Sequence, residues 1–220
     1  MKINFKSFCF LLFSGFLLAH SPLLFANSDN SAAPIQQTDD PQVMLQTLTE
    51  TTLTILKTNH DTFKADPNKM VQMINQVLLP HVDQVRMAQS VVGRAIWMQA
   101  SDADQTDFTQ AFMRLLVHTY AGALNAYTNQ QVEYYPIRGG IQHQTEIEIQ
   151  SQILPEDGPP IAINYRLNLN NGEWKINDVI VEGVSLLQSF RAQFQNFFKR
   201  DGHTLTDLTV TLNQRSLESL

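Results

Sequence analysis

The sequence predicts an α+β fold in two layers, a four-stranded antiparallel meander covered by helices. Three observations predict it. From Pro41 to Tyr127 the apolar residues recur with a helical period, and from Gln131 onward the period drops to two. Between Trp174 and Phe198, in W-K-I-N-D-V-I-V-E-G-V-S-L-L-Q-S-F-R-A-Q-F-Q-N-F-F, a strand runs straight into an aromatic helix. A sheet with one apolar and one polar face must hide its apolar side, and helices are the available cover.

Residues 1–26 are expected to be a signal peptide. Lys2 and Lys6 precede the apolar run Phe8 to Ala19, which is too short to span a bilayer, and Ala26 is a small residue suited to cleavage. Leu24 stands where a second small residue would be usual. The only cysteine, Cys9, falls inside this leader, so the mature chain has neither a disulfide framework nor a thiolate metal site. Residues 27–39 are a polar lead-in and 40–213 one domain, with a disordered tail expected over 214–220.

Asp40-Pro41 is a helix start, a capping carboxylate ahead of a proline at the first helical position. Met44, Leu48, Thr51 and Ile55 share one side of that helix. Asp66-Pro67 starts a second, with Met70, Ile74, Val77 and Leu78 on its buried side until Pro80 stops it. A third segment carries Val82, Val85, Ala88 and Val92 up to Gly93, followed by a turn with Ile96 and Trp97. Ser101 and Asp104 have capping-box spacing before the longest helix, marked by Phe108, Phe112, Leu115, Leu116, Tyr120, Ala123, Leu124 and Tyr127.

Four strands follow. They are marked by Val132 and Tyr134; by Ile147, Ile149 and Ile153; by Ile161, Ile163, Tyr165, Leu167 and Leu169; and by Trp174, Ile176 and Ile180. Asn171-Gly172 between the last two is a strong hairpin signal. Ser185 and Gln188 then cap a helix whose stripe is Leu187, Phe190, Phe194 and Phe197. Leu205, Leu208 and Leu212 predict one last short helix.

The chain has 15 Lys and Arg against 21 Asp and Glu, a net charge of −6. Removing Lys2 and Lys6 with the leader makes the domain more acidic still, which argues against nucleic acid and against standing adhesion to anionic lipid. The histidines are scattered, so no pair has metal-ligand spacing. Gly183-Val184-Ser185 lacks the second glycine of a nucleophile elbow, because Leu187 stands there. No phosphate-binding glycine loop occurs. Asp178 and Glu182, four apart near the strand end, have two readings. Either could be the acid or base of a cone-shaped α+β enzyme like ketosteroid isomerase acting on a small apolar substrate. Alternatively, with Ser185 and Arg191 or Arg166, they fix the corner between strand and helix.

The stretch from Trp174, with D-V-I-V-E-G-V-S-L and then F-R-A-Q-F, resembles the signature of the MlaC family, also called the toluene-tolerance family. Leu78-Leu79-Pro80-His81-Val82-Asp83, Val92-Gly93-Arg94 with Trp97, Phe112-Met-Arg-Leu-Leu-Val with Thr119-Tyr120, and Tyr165-Arg166-Leu167 agree in the same order. Asn177 and Ser189-Phe190 depart from it. The resemblance implies a periplasmic carrier, not an enzyme, that holds phospholipid tails in an internal apolar pocket and takes no cofactor. The implied partners are MlaA with a porin at the outer membrane and MlaD of the MlaFEDB transporter at the inner membrane, the carrier itself being a monomer. On this resemblance Val85, Val91, Val92, Trp97, Phe112, Leu116, Tyr120, Ile149, Ile163, Tyr165, Ile180, Val184 and Leu187 are expected to line the pocket. Arg86 and Arg94 are expected to meet the headgroup or a partner.

Overall fold

A computed structural model of the chain describes residues 40–125, 130–155, 158–199 and 202–218. The expected leader, the lead-in and Tyr127 lie outside these residues. Asp40 accepts from the backbone N–H groups of Gln42 and Val43 and opens α1 (Pro41–Thr58). After α2 (His60–Ala65), Asp66 accepts from the Asn68 N–H and opens α3 (Pro67–Met73). Pro80 has no N–H to donate, so the helix cannot continue through it. The chain instead loosens into a π-helical turn, Ile74–Leu78, and tightens into a 3₁₀ turn, Leu79–His81. Then follow α4 (Gln84–Val92), α5 (Arg94–Gln99) and α6 (Asp102–Asn125).

Ser101 and Asp104 exchange the two bonds of a capping box ahead of α6. The two short helices α2 and α5 were not predicted. Six residues hold too few apolar positions to establish a period. The buried side of α1 is Met44, Leu45, Leu48, Thr52 and Leu56, so the predicted Thr51 and Ile55 lie beside the buried stripe.

The sheet is antiparallel throughout, in the order β1 (Gln131–Tyr134), β2 (Glu146–Leu154), β3 (Ile161–Asn170), β4 (Glu173–Val181) and β5 (Val184–Ser185). Among the described residues it has five strands rather than four. Glu182 and Gly183 both take positive φ, 50° and 78°, the geometry of a two-residue hairpin turn, which folds two further residues back as β5. Glutamate is an unusual residue there, so the turn carries no sequence signal. Asn171 and Gly172, at φ 52° and 84°, form the predicted turn of the same kind.

Helix α7 (Leu186–Phe198) begins directly after β5. Helix α8 (Leu205–Glu218) continues across positions where a disordered tail was expected. No Gly or Pro follows Leu212 to stop it, and Arg114 of α6 donates to Asn213 at 2.9 Å.

Among the described residues burial divides into three clusters. The first is helical, joining Val91, Val92, Trp97, Phe108, Phe112, Leu187, Phe190 and Phe194 across α4 to α8. The second presses Met44, Leu45 and Leu48 of α1 onto Ile147, Ile149, Leu167, Trp174 and Ile176 of the sheet. The third joins Leu56, Phe63, Met70, Met73, Ile74 and Val117.

Candidate functional site

The strand-to-helix corner depends on a break in the pleat. Tyr165 pairs with Val179 and Arg166 with Asp178, but Leu167 pairs with Ile176, so Asn177 is an extra residue on β4. Trp174, Ile176 and Val179 therefore share the apolar face, while Asp178 and Ile180 turn to the other. Placing Trp174, Ile176 and Ile180 on one face, as uninterrupted alternation predicts, is corrected by this bulge.

Asp178 is buried and accepts from Ser185 Oγ at 2.6 Å, from the Leu187 N–H at 3.3 Å and from Arg166 at 3.3 Å. Ser185 in turn accepts from the Gln188 N–H at 3.0 Å, which caps α7. Glu182 is exposed on the hairpin turn and accepts from the Ala162 N–H. The two carboxylates do not converge on one space. Arg191, on the exposed side of α7, borders the same cleft as Asp178 and Ser185.

A different feature joins the three clusters. Val77 and Leu78 pack against both the second and the third, Leu79 against the first and third, and Val82 against the first and second. All four keep partial exposure although they lie where the apolar groups meet. This seam is the π-to-3₁₀ segment itself, a local geometry that recurs at functional sites. Tyr165 and Tyr134 pack beside it in the second cluster. Burial pushes the Tyr165 hydroxyl up, with the neighbouring Tyr134 adding to it. Burial likewise raises Tyr134, whose hydroxyl bonds Thr49 Oγ1 at 2.6 Å. Both phenols stay neutral across the physiological range. His81 ends the segment. Burial holds its pKa below the usual 6.5, with Lys175 adding to the effect and Glu173 opposing it.

The thirteen residues expected to line a pocket are not gathered around one space. Val91, Val92, Trp97, Phe112 and Leu187 are in the first cluster, with Leu116 and Tyr120 packed against it. Ile149 and Tyr165 belong with the second. Ile163, on the apolar face beside Val181, is half-buried. Ile180 is buried on the opposite face. Val85 is 57% exposed and Val184 42%, so neither faces an interior. Helical period placed Val85 with Ala88 and Val92, but α4 buries Met87, Ala88, Val91 and Val92. Sequence reading missed Val77, Leu78, Leu79 and Val82 as a site. Their only signal was the Leu-Leu-Pro-His-Val-Asp motif around Pro80.

Two adjoining clefts open on the polar side, about 490 and 680 Å³, and they share Arg86, Ser90 and Arg191. Arg86 pairs with Glu146, and Arg166 with Glu148 and Asp178. Gly93, at φ 85°, turns the chain from α4 into α5, and a Cβ there would stand 3.9 Å from Arg191 Nη2. Arg94 thereby joins Arg86 and Arg191 around the second cleft.

Three comparisons bear on this arrangement. A family profile described as MlaC protein matches residues 46–214. Toluene tolerance protein ttg2D of Pseudomonas putida is 28% identical over 170 residues, covering 77% of this chain and 78% of that protein. The intermembrane phospholipid transport system binding protein MlaC of Haemophilus influenzae is 26% identical over 180 residues, with 80% and 81% covered. Among solved structures, a phospholipid-binding protein from Ralstonia solanacearum, in complex with a phospholipid, matches with a TM-score of 0.75 at 29% sequence identity. That match covers 82% of this chain and 98% of the other.

Proposed function

The chain belongs to the MlaC family, and from that premise we propose that it is a periplasmic phospholipid carrier whose acyl tails enter at the seam formed by Val77 to Val82. The observation that carries the reading is the shared fold with a protein solved holding a phospholipid. The seam supports it, since three apolar clusters converge on a segment that is still partly open.

The energetics ask for such a site. Each CH₂ kept from water is worth ~0.8 kcal/mol, so two tails of roughly thirty carbons amount to about 20 kcal/mol. Tails cannot cross water bare at that cost. A protein interior that replaces the bilayer makes transfer nearly neutral, and direction then comes from differential contacts with the donor and acceptor complexes. The partners in this reading are MlaA with its porin on one side and MlaD of the MlaFEDB transporter on the other. Lipid moved between them maintains the asymmetry of the outer membrane. Residues 1–26 would direct export and be removed.

The carboxylates that an enzyme would use as acid or base are engaged within the fold. Asp178 borders the smaller cleft but already accepts from Ser185, the Leu187 N–H and Arg166, and Glu182 accepts from a backbone N–H, which favours a structural role for both over that of a base. The test is lipid content. Protein purified from its own host should carry phospholipid detectable by mass spectrometry and take it up from vesicles once stripped. A chain that is lipid-free and refuses lipid from vesicles would end the proposal.

A further inference from the structure

We propose that the segment from Ile74 to Asp83 is a strap pinned at one end by Lys175, a positioning residue, so that Val77 and Leu78 lift from the sheet to pass acyl tails while Pro80 to Asp83 stay in place. The proposal takes its cargo from the carrier reading, but the geometry behind it belongs to the segment alone.

The segment is held unevenly. At the Pro80 end, hydrogen bonds tie it to two strands. Lys175 Nζ donates to the Pro80 carbonyl at 2.9 Å and the Asp83 N–H to the Ile176 carbonyl at 2.8 Å, both on β4. Asn168 and Asn170 of β3 donate to the buried Asp83 carboxylate at 2.8 and 3.0 Å. At the other end α3 is fixed by Met70 and Met73, both buried in the third cluster. The middle has no such tie. Among the described residues no hydrogen bond joins Ile74–Leu78 to a strand. Val77 and Leu78 reach the second and third clusters through partly exposed side chains, and Asn75 and Gln76 beside them are exposed. A stretch anchored at both ends and held between them by packing alone opens in the middle first.

The backbone supplies the slack at Leu79. Its N–H bonds the Ile74 carbonyl, five residues back, and its carbonyl accepts from the Val82 N–H, three residues on, at 3.1 Å. An α-helix spaces these bonds by four. The chain is thus one residue loose before Leu79 and one residue tight after it. A shift of one residue across that point lets Val77 and Leu78 turn while α3 and α4 keep their places. Such a shift drags on Pro80. The Lys175 ammonium, which also pairs with Glu173 at 2.6 Å, resists it through a charge-assisted bond to the Pro80 carbonyl.

The experiment loads the purified chain with phosphatidylethanolamine carrying a fluorescent tail and follows release into vesicles of phosphatidylethanolamine and phosphatidylglycerol. Lys175→Met should release lipid about tenfold faster. It should do so well below its own melting temperature, where global unfolding contributes nothing. Lys175→Arg keeps a cationic donor and should stay near the parent rate. Glu173→Gln should stay there too, since it removes the ion pair and leaves the bond to Pro80. In the lipid-free parent, amide hydrogen exchange should be faster at Val77 and Leu78 than at Val82 and Asp83.

Equal release by Lys175→Met and the parent would overturn the proposal, as would equal acceleration by Glu173→Gln or uniform protection from Ile74 to Asp83. If Lys175→Met does not fold, the exchange pattern of the parent decides. A chain that takes up no labelled lipid but shows the uneven pattern would sink the carrier reading and leave the strap standing.

Discussion

Phe112 is fully buried, and its ring meets Phe108 stacked at 6.0 Å and Phe190 and Phe194 edge-on at 5.4 and 5.9 Å. Truncating it leaves a hole between α6 and α7 that packed neighbours cannot close, so Phe112→Ala should cost about 3–5 kcal/mol in urea unfolding. His81 makes a pH prediction. Its folded pKa lies below 6.5, so near and below that value the unfolded chain binds more protons than the folded one. Stability should therefore fall as pH drops through 6.5 and level off below the folded pKa. His81→Gln should flatten that slope in denaturant titrations across the window. An unchanged slope would mean that other groups govern it. Among individual side chains, Phe112 was legible from its period. Exposed Val85 was not, because α4 buries two adjacent pairs and a single spacing rule fits more than one side of so short a helix.

The corner where β4 passes into α7 is a unit of three parts. Ser185→Ala removes the cap of α7 and should cost ~1 kcal/mol. Asp178→Ala leaves the Ser185 hydroxyl, the Leu187 N–H and Arg166 without their acceptor, at about 1–3 kcal/mol. Because the two residues share one network, the double variant should cost less than the sum of the singles in a thermal or urea double-mutant cycle. Strict additivity would show that Asp178 and Ser185 act separately. The chain of helices and strands was readable wherever a cap, a proline or an Asn-Gly turn punctuated a period. The β4 bulge and the β5 hairpin were hidden, since Asn177 and Glu182 carry no residue-type signal for an extra residue or a positive φ.

The candidate tail site belongs to no single element. It exists because the α1–sheet layer, the group of α1, α2, α3 and α6, and the α4 to α8 group each bury an apolar cluster, and one short segment touches all three. Periodicity reports which side of an element is buried, but not where three such surfaces meet, so the seam was legible only as a motif around Pro80. Filling it gives a direct check. Leu78→Trp should lower the phospholipid copurified per chain, read by mass spectrometry, more than it lowers the melting temperature. Undiminished lipid would place the tails elsewhere.

The segment does one thing more. Val82 forms a lone parallel bridge to Ile176, and the Asp83 N–H bonds the Ile176 carbonyl at 2.8 Å, on a strand whose far end alone is covered by β5. Uncovered strand margins invite neighbouring copies to zip together. Prying the segment outward would bare that margin, so the stretch that touches all three apolar clusters also screens a strand edge that another copy could otherwise extend.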